Sequence, residues 1–186
     1  MKFVLHYRGS LRSNGDPVHK HEIRSAFHAQ LAHLWKTEAL RKAHYLHKPP
    51  SEENRFSSLR ELAPFVFVPL LTEQLKVVAE VEITIMRPEP PGGLITQGGD
   101  IDNRIKTLLD ALTMPRHRNA LPKDARPAAD QQLFFCLLED DNMVTSLSVR
   151  TEQLLETLGD PSEVDLTIRV QPRVLANLID NWMFGG

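Results

Sequence analysis

Asp100-Ile101-Asp102-Asn103-Arg104-Ile105-Lys106-Thr107-Leu108-Leu109-Asp110 sets two carboxylates, one residue apart, at the mouth of an amphipathic run. Ile105, Leu108, Leu109 and Leu112 fall at i, i+3, i+4 and i+7, the spacing of one buried helical stripe. Asp102 or Asn103 is the expected N-cap, which puts the acids at the positive end of the helix dipole. Lys106 is one turn further on, at i+4 from Asp102, and Asp110 one turn beyond that.

Outward from this helix the pattern changes to period two. Upstream, from Lys76 to Met86, Val77, Ala79, Val81, Ile83 and Ile85 alternate with Glu80, Glu82 and Thr84, which predicts a strand with one face in the core. Arg87-Pro88-Glu89-Pro90-Pro91-Gly92-Gly93 ends it. Downstream, a proline-containing basic loop at about 114–132 leads to an apolar strand, Leu133 to Leu138, closed by Glu139-Asp140-Asp141. Val144 to Arg150 reads as a returning strand, with Asp141-Asn142 as the turn. Val164 to Val170 alternates once more, and Val174 to Phe184 reads as a short helix or an irregular tail.

The N-terminal third follows the same logic. Lys2 to Tyr7 reads as a strand, Ser13-Asn14-Gly15 as a turn, and Asp16-Pro17 as a helix start, since Asp caps and Pro is tolerated at the first helical position. Ile23, Phe27, Leu31, Leu34 and Trp35 continue that helix, weakly to about Leu46, giving an extended basic helical region at about 16–48. Phe65 to Val68 predicts a short buried strand between Pro64 and Pro69. Strands and helices intermixed in this order predict an α/β (α+β) fold, a mixed sheet packed by helices, in a single domain over 1–186.

Composition excludes several classes. The chain is 41% hydrophobic and 25% charged, as in an ordinary globular protein. No apolar run approaches the roughly 18 residues of a membrane span, and the early charges of the N-terminus do not fit a signal peptide, so the expected location is the cytoplasm with no membrane partner. The single cysteine, Cys136, lies in an apolar strand and is expected to be buried and inert. The net charge of −2 hides an asymmetry: residues 1–60 hold 11 Lys and Arg against 5 Asp and Glu, while the remainder hold 11 against 19. A basic face beside an acidic site suits a polyanion held against bound metal, and two solvated surfaces of different composition would read the same way. Seven of the eight histidines lie in the basic third. His19 and His21 do not have same-face helical spacing and no His-Glu-x-x-His occurs, so most histidines are expected to be exposed rather than metal-bound.

Asp100, Asp102 and Asp141 together would make an oxygen-rich site for a hard divalent cation such as Mg²⁺, which orients and deprotonates water at a phosphodiester. Lys106 would then stabilise charge on the pentacovalent phosphate. Each cluster also has a simpler reading, as a helix cap, a turn, or a Lys106 ion pair with Asp102 or Asp110. Spacing alone does not bring Asp141 to the other two.

Two stretches taken jointly go further. Asp100-Ile101-Asp102-Asn103-Arg104-Ile105-Lys106, continuing through Asp110-Ala111-Leu112, and then Leu138-Glu139-Asp140-Asp141-Asn142-Met143-Val144, closely resemble the paired motifs of the RusA-type Holliday junction resolvases. The resemblance implies a RusA-like homodimer that resolves four-way DNA junctions with Mg²⁺, Mn²⁺ substituting. It implies Asp100, Asp102 and Asp141 as metal ligands, Lys106 as the essential lysine, and Asn103 and Asp140 in support. Arg12, Lys20, Arg24, Arg116, Arg118 and Lys123 are the expected DNA contacts. The resemblance covers residues 76–113 and 133–170. The sequence departs from the family pattern in the uncharged approach Leu94 to Gly99, the long segment between the motifs, and the histidine-rich N-terminal helix. A RusA-like protein that binds branched DNA or a protein partner without cutting is the alternative.

Overall fold

A computed structural model describes residues 1–52, 54–88, 101–156, 159–160 and 162–185. The strand predicted from Lys76 to Met86 is β4 (Val77–Arg87), and its alternation is realised: Val77, Ala79, Val81, Ile83 and Ile85 are buried, and Glu80, Glu82 and Thr84 lie on the other face. β4 pairs antiparallel with β7 (Glu163–Val174), joining Val81 to Val170 and Ile83 to Ile168. β7 in turn pairs antiparallel with β1 (Phe3–Ser10), and β6 (Val144–Gln153) runs parallel to β4 on its other side. The result is a four-stranded mixed sheet in the order β1-β7-β4-β6. Cross-strand pairs Arg169–Glu82 and Arg173–Glu80 occupy its polar face.

A second sheet has the order β2-β3-β5, from β2 (Arg60–Leu62), β3 (Phe65–Leu71) and β5 (Phe134–Leu138). β3 is buried on both faces, Phe65 and Phe67 in a small aromatic cluster with Phe134 and Cys136, and Val68, Leu70 and Leu71 in the main core. Pro69 is tolerated there because β2 pairs no further than Phe67. The chain is therefore α+β with two mixed sheets, where a single sheet was expected. Among the described residues no helix is long and apolar enough to cross a membrane.

The expected turn at Asp141-Asn142 does not make a hairpin. β5 and β6 belong to different sheets, and a 3-10 turn at Asp141–Met143 carries the chain between them, with Met143 as a buried plug. β5 is buried except for the half-buried Phe135 because β3 and helix α1 (Pro17–Trp35) cover it, while β6 is a largely exposed edge strand.

Ile23, Phe27, Leu31 and Trp35 line the buried face of α1, as the periodicity requires. The helix ends at Trp35 rather than near Leu46. Thr37 leaves the helical region at φ −66° and ψ 158°, its hydroxyl donating to the Leu34 carbonyl at 2.7 Å. A short helix α2 (Glu38–Arg41) and a 3-10 turn at His44–His47 follow. The C-terminal segment forms a 3-10 turn at Ile179–Phe184, pinned by Asn181 Nδ2 donating to the Leu75 and Ala176 carbonyls. The motif helix is α3 (Ile101–Leu112), with Ile105, Leu108, Ala111 and Leu112 buried against this core.

Candidate functional site

α3 begins at Ile101, one residue before the predicted cap, and Asp102 lies in its first turn. Asp102 is exposed and its Oδ1 accepts the Asn103 N–H at 2.7 Å, so the carboxylate sits over the free amides of the helix start. Lys106, one turn on, is exposed as well. Asp100 lies outside the described residues.

The other end of α3 meets the second motif. Thr113 bridges Leu138 in parallel register, and Met114 N donates to the Leu138 carbonyl at 2.9 Å. The Glu139-Asp140-Asp141 cluster then divides. Glu139 turns to Arg60, Nε to Oε1 at 2.5 Å, and its other oxygen accepts the Glu73 N–H. Asp140 and Asp141 turn instead to Arg116, whose Nη2 lies 2.5 Å from Asp140 Oδ2 and 3.3 Å from Asp141 Oδ1. Partial burial raises the Asp140 pKa, but the Asn142 N–H and the Asp141 and Arg116 contacts outweigh it and hold the carboxyl below its usual range.

Asp141 and Arg116 line a cleft of about 290 Å³ together with Lys20, Arg24, Asp110 and Thr113. Lys20 Nζ closes on Asp110 Oδ2 at 2.7 Å. The structure thus gathers Lys20, Asp110, Arg116 and Asp141 at the C-terminal end of α3, while Asp102 and Lys106 stand toward its N-terminal end. From Asp102 to Thr113 the rise is about 16 Å at ~1.5 Å per residue. Among the described residues no three His, Cys, Asp or Glu side chains stand together as ligands of one ion.

The predicted DNA contacts separate by burial. Arg24 is 2% exposed, and its Nε and Nη2 donate to the Thr113 and Asp110 carbonyls, so it fastens α1 to the end of α3 and is not a surface contact. Its pKa is lowered to about 10 by burial, which leaves it charged at neutral pH. Arg118 spends its guanidinium on the Pro122 and Lys123 carbonyls within the 114–132 loop. Arg12 and Lys123 are exposed.

The histidines depart furthest from expectation. His19 and His28 are buried, and His21 and His47 are half-buried. His28 packs on Phe134 and Phe135 with ring centroids 4.6 and 5.7 Å apart, and its Nδ1 accepts the Phe135 N–H at 2.9 Å. His47 packs edge-on to Trp35 at 4.3 Å. A histidine is apolar enough for these aromatic neighbours when neutral, a property that hydrophobic periodicity does not score. Gly15 and His19 pack against Thr107 of the motif helix, a contact toward which only the Asn14-Gly15 turn signal pointed.

Asp140 and Asp141 are hard oxygen donors of the type a divalent cation takes, and here each directs an oxygen at one nitrogen of Arg116. Comparison of the chain with protein-family models, with curated proteins and with solved structures finds no match.

Proposed function

We propose that the protein is a Mg²⁺-dependent endonuclease acting on branched DNA, with Asp100, Asp102, Lys106 and Asp141 as its reactive residues. The observation that carries this reading is the convergence of Asp140 and Asp141 on the position held by Arg116, at the end of the helix that opens with Asp102 and Lys106. Asp141, with Asp140 in support, would hold the ion there, and Asp100 and Asp102 would supply the same kind of donor at the first motif. Bound Mg²⁺ supplies Lewis acidity and charge neutralisation at the phosphorus and lowers the pKa of water. Lys106 faces solvent one turn from Asp102, placed to oppose negative charge on a phosphate brought to that helix end.

A second reading is a protein that binds branched DNA, as a homodimer by analogy with the family it resembles, without cutting it. The separation of Asp102 from Asp141 along α3 favours it. A synthetic four-way junction incubated with protein and Mg²⁺, beside Asp102→Asn, divides the two. Cleavage by the wild type, lost in Asp102→Asn, is expected. Tight binding with no cleavage supports the second reading, and cleavage indifferent to Asp102→Asn removes the first motif from the chemistry.

A further inference from the structure

The segment between β1 and α1 is clamped onto the motif helix at several points. Leu11 is buried, and its carbonyl accepts from Arg104 Nη1, itself only 4% exposed. Gly15 N donates to Thr107 Oγ1 at 3.0 Å. Arg104 and Thr107 are the inward neighbours of Asp102 and Lys106 on α3, so the loop is fixed to the buried side of the turns that carry the motif. The fit has no slack, since a Cβ at Gly15 would stand 2.7 Å from Thr107 Cγ2 and 2.7 Å from His19 Cδ2. Asn14, at φ 53°, turns the chain into this contact.

A histidine of α1 holds the same loop from its other end. Arg12 N donates to His19 Nε2 at 3.1 Å, while the Arg12 side chain itself is exposed. Asp16, the N-cap of α1, accepts the His19 backbone N–H at 2.8 Å, so the ring is held at a fixed place on the first turn.

We propose that this loop is the phosphate-contacting arm of the site, that Arg12 is its contact residue, and that neutral His19 is the positioning residue that holds Arg12 beside the first turns of α3. The ligand assigned, a nucleic-acid phosphate, rests on the nuclease reading; the clamp does not. A backbone N–H can donate to Nε2 only while that nitrogen carries no proton, so the ring proton must sit on Nδ1. Glu22 Oε2, on the same helix, lies 3.8 Å from Nδ1. The charges facing the ring are Arg12 and Asp16 from the loop and Glu22 from α1, and α3 meets it with Thr107. Burial and Arg12 lower the His19 pKa against the opposing pull of Glu22 and Asp16, so the accepting form is the one present at neutral pH. Protonation puts two N–H groups face to face and breaks the hold at Arg12, which weakens the clamp that Leu11 and Gly15 share.

Amide hydrogen exchange by NMR on the free protein, together with fluorescence anisotropy on a labelled four-way junction, tests this in steps from about pH 7.5 down to the onset of acid unfolding, because His19 titrates below the ordinary histidine value. The wild type is expected to lose protection at the Arg12 and Gly15 amides in acid and to bind the junction at least about tenfold more weakly. His19→Gln, whose side-chain oxygen can accept the same N–H at every step, keeps both. Arg12→Gln keeps the protection, weakens junction binding, and reduces the slope of log K against log salt by about one phosphate contact. Protection that does not change with pH overturns the role of His19. Protection lost in acid while junction affinity holds overturns the arm. Absence of junction binding by the wild type at every step removes the DNA reading, and with it the arm, while the amide data still decide the clamp.

Discussion

Arg24 and Arg116 carry the same charge and line one cleft, and their surroundings give them opposite work. Arg24 is buried and tied to two backbone carbonyls at the end of α3. Hydrogen bonds to a charged group are worth about 1.5–3 kcal/mol each. Arg24→Gln should therefore lower stability by at least about 2 kcal/mol in urea denaturation while leaving the salt dependence of DNA binding unchanged. An altered salt slope with unchanged stability would return Arg24 to the surface. Arg116 is 61% exposed and opposes Asp140 and Asp141 where a cation would compete with it. An exposed pair of this kind contributes about 0.2–1 kcal/mol, so Arg116→Gln should tighten Mn²⁺ binding by no more than about fivefold in a titration followed by electron paramagnetic resonance. Weaker Mn²⁺ binding in that variant would make Arg116 a supporter of the cation rather than its competitor.

α1 is the element on which the two clusters of the core meet, and His21 on it, with His47 of the following 3-10 turn packed on its last residue Trp35, makes its surroundings sensitive to acid. Burial pushes His21 and His47 down to about 4. The unfolded chain takes up those protons near the ordinary value of about 6.5 and the folded chain does not. The neutral rings therefore contribute their full stability above about pH 6.5, and the contribution is lost as pH falls from there through about 4. Thermal unfolding followed by circular dichroism should give a level Tm above about pH 7 and a falling one below about 6.5, with His47→Phe recovering part of the loss. A Tm that stays level to about pH 4 contradicts this assignment. Where α1 meets β5, Phe134 fills the space between Phe65, Phe67 and His28 and is fully buried. Phe134→Ala should cost about 3–5 kcal/mol by denaturant titration. A cost near 1 kcal/mol would mean that the cluster collapses to fill the space.

At the scale of the whole molecule, much of the framework was legible in the sequence because it rests on periodicity. The alternation of Val77 to Ile85, the stripe of Ile105, Leu108 and Leu112, and the Asp16-Pro17 helix start each depend on a few neighbouring residues, and each is found as read. The two sheets were not legible, because β5 and β6 differ in partner rather than in pattern: both are short apolar or alternating runs, and only tertiary contact sends one to β3 and the other to β4. The buried histidines escaped for a related reason, since a neutral imidazole between Phe134 and Phe135 has the composition of a surface and the environment of a core. For the candidate site, the sequence picked out the two acidic stretches but not their relation, since it takes the tertiary fold to set Asp141 beside Asp110 and Thr113 at the C-terminal end of α3. It could not show that Glu139 parts from Asp140 and Asp141, because Arg60 and Arg116 reach them from distant parts of the chain.

The central claim is that the two acidic motifs serve one metal-dependent cleavage. Single-turnover cleavage of a four-way junction in Mg²⁺ by the wild type, Asp102→Asn, Asp141→Asn and the double variant measures it as a cycle. If both carboxylates act in one reaction, each single change costs at least about a hundredfold and the double change costs little more than either. Losses that multiply would show two independent sites, and a wild-type rate retained by either single variant would contradict the claim outright.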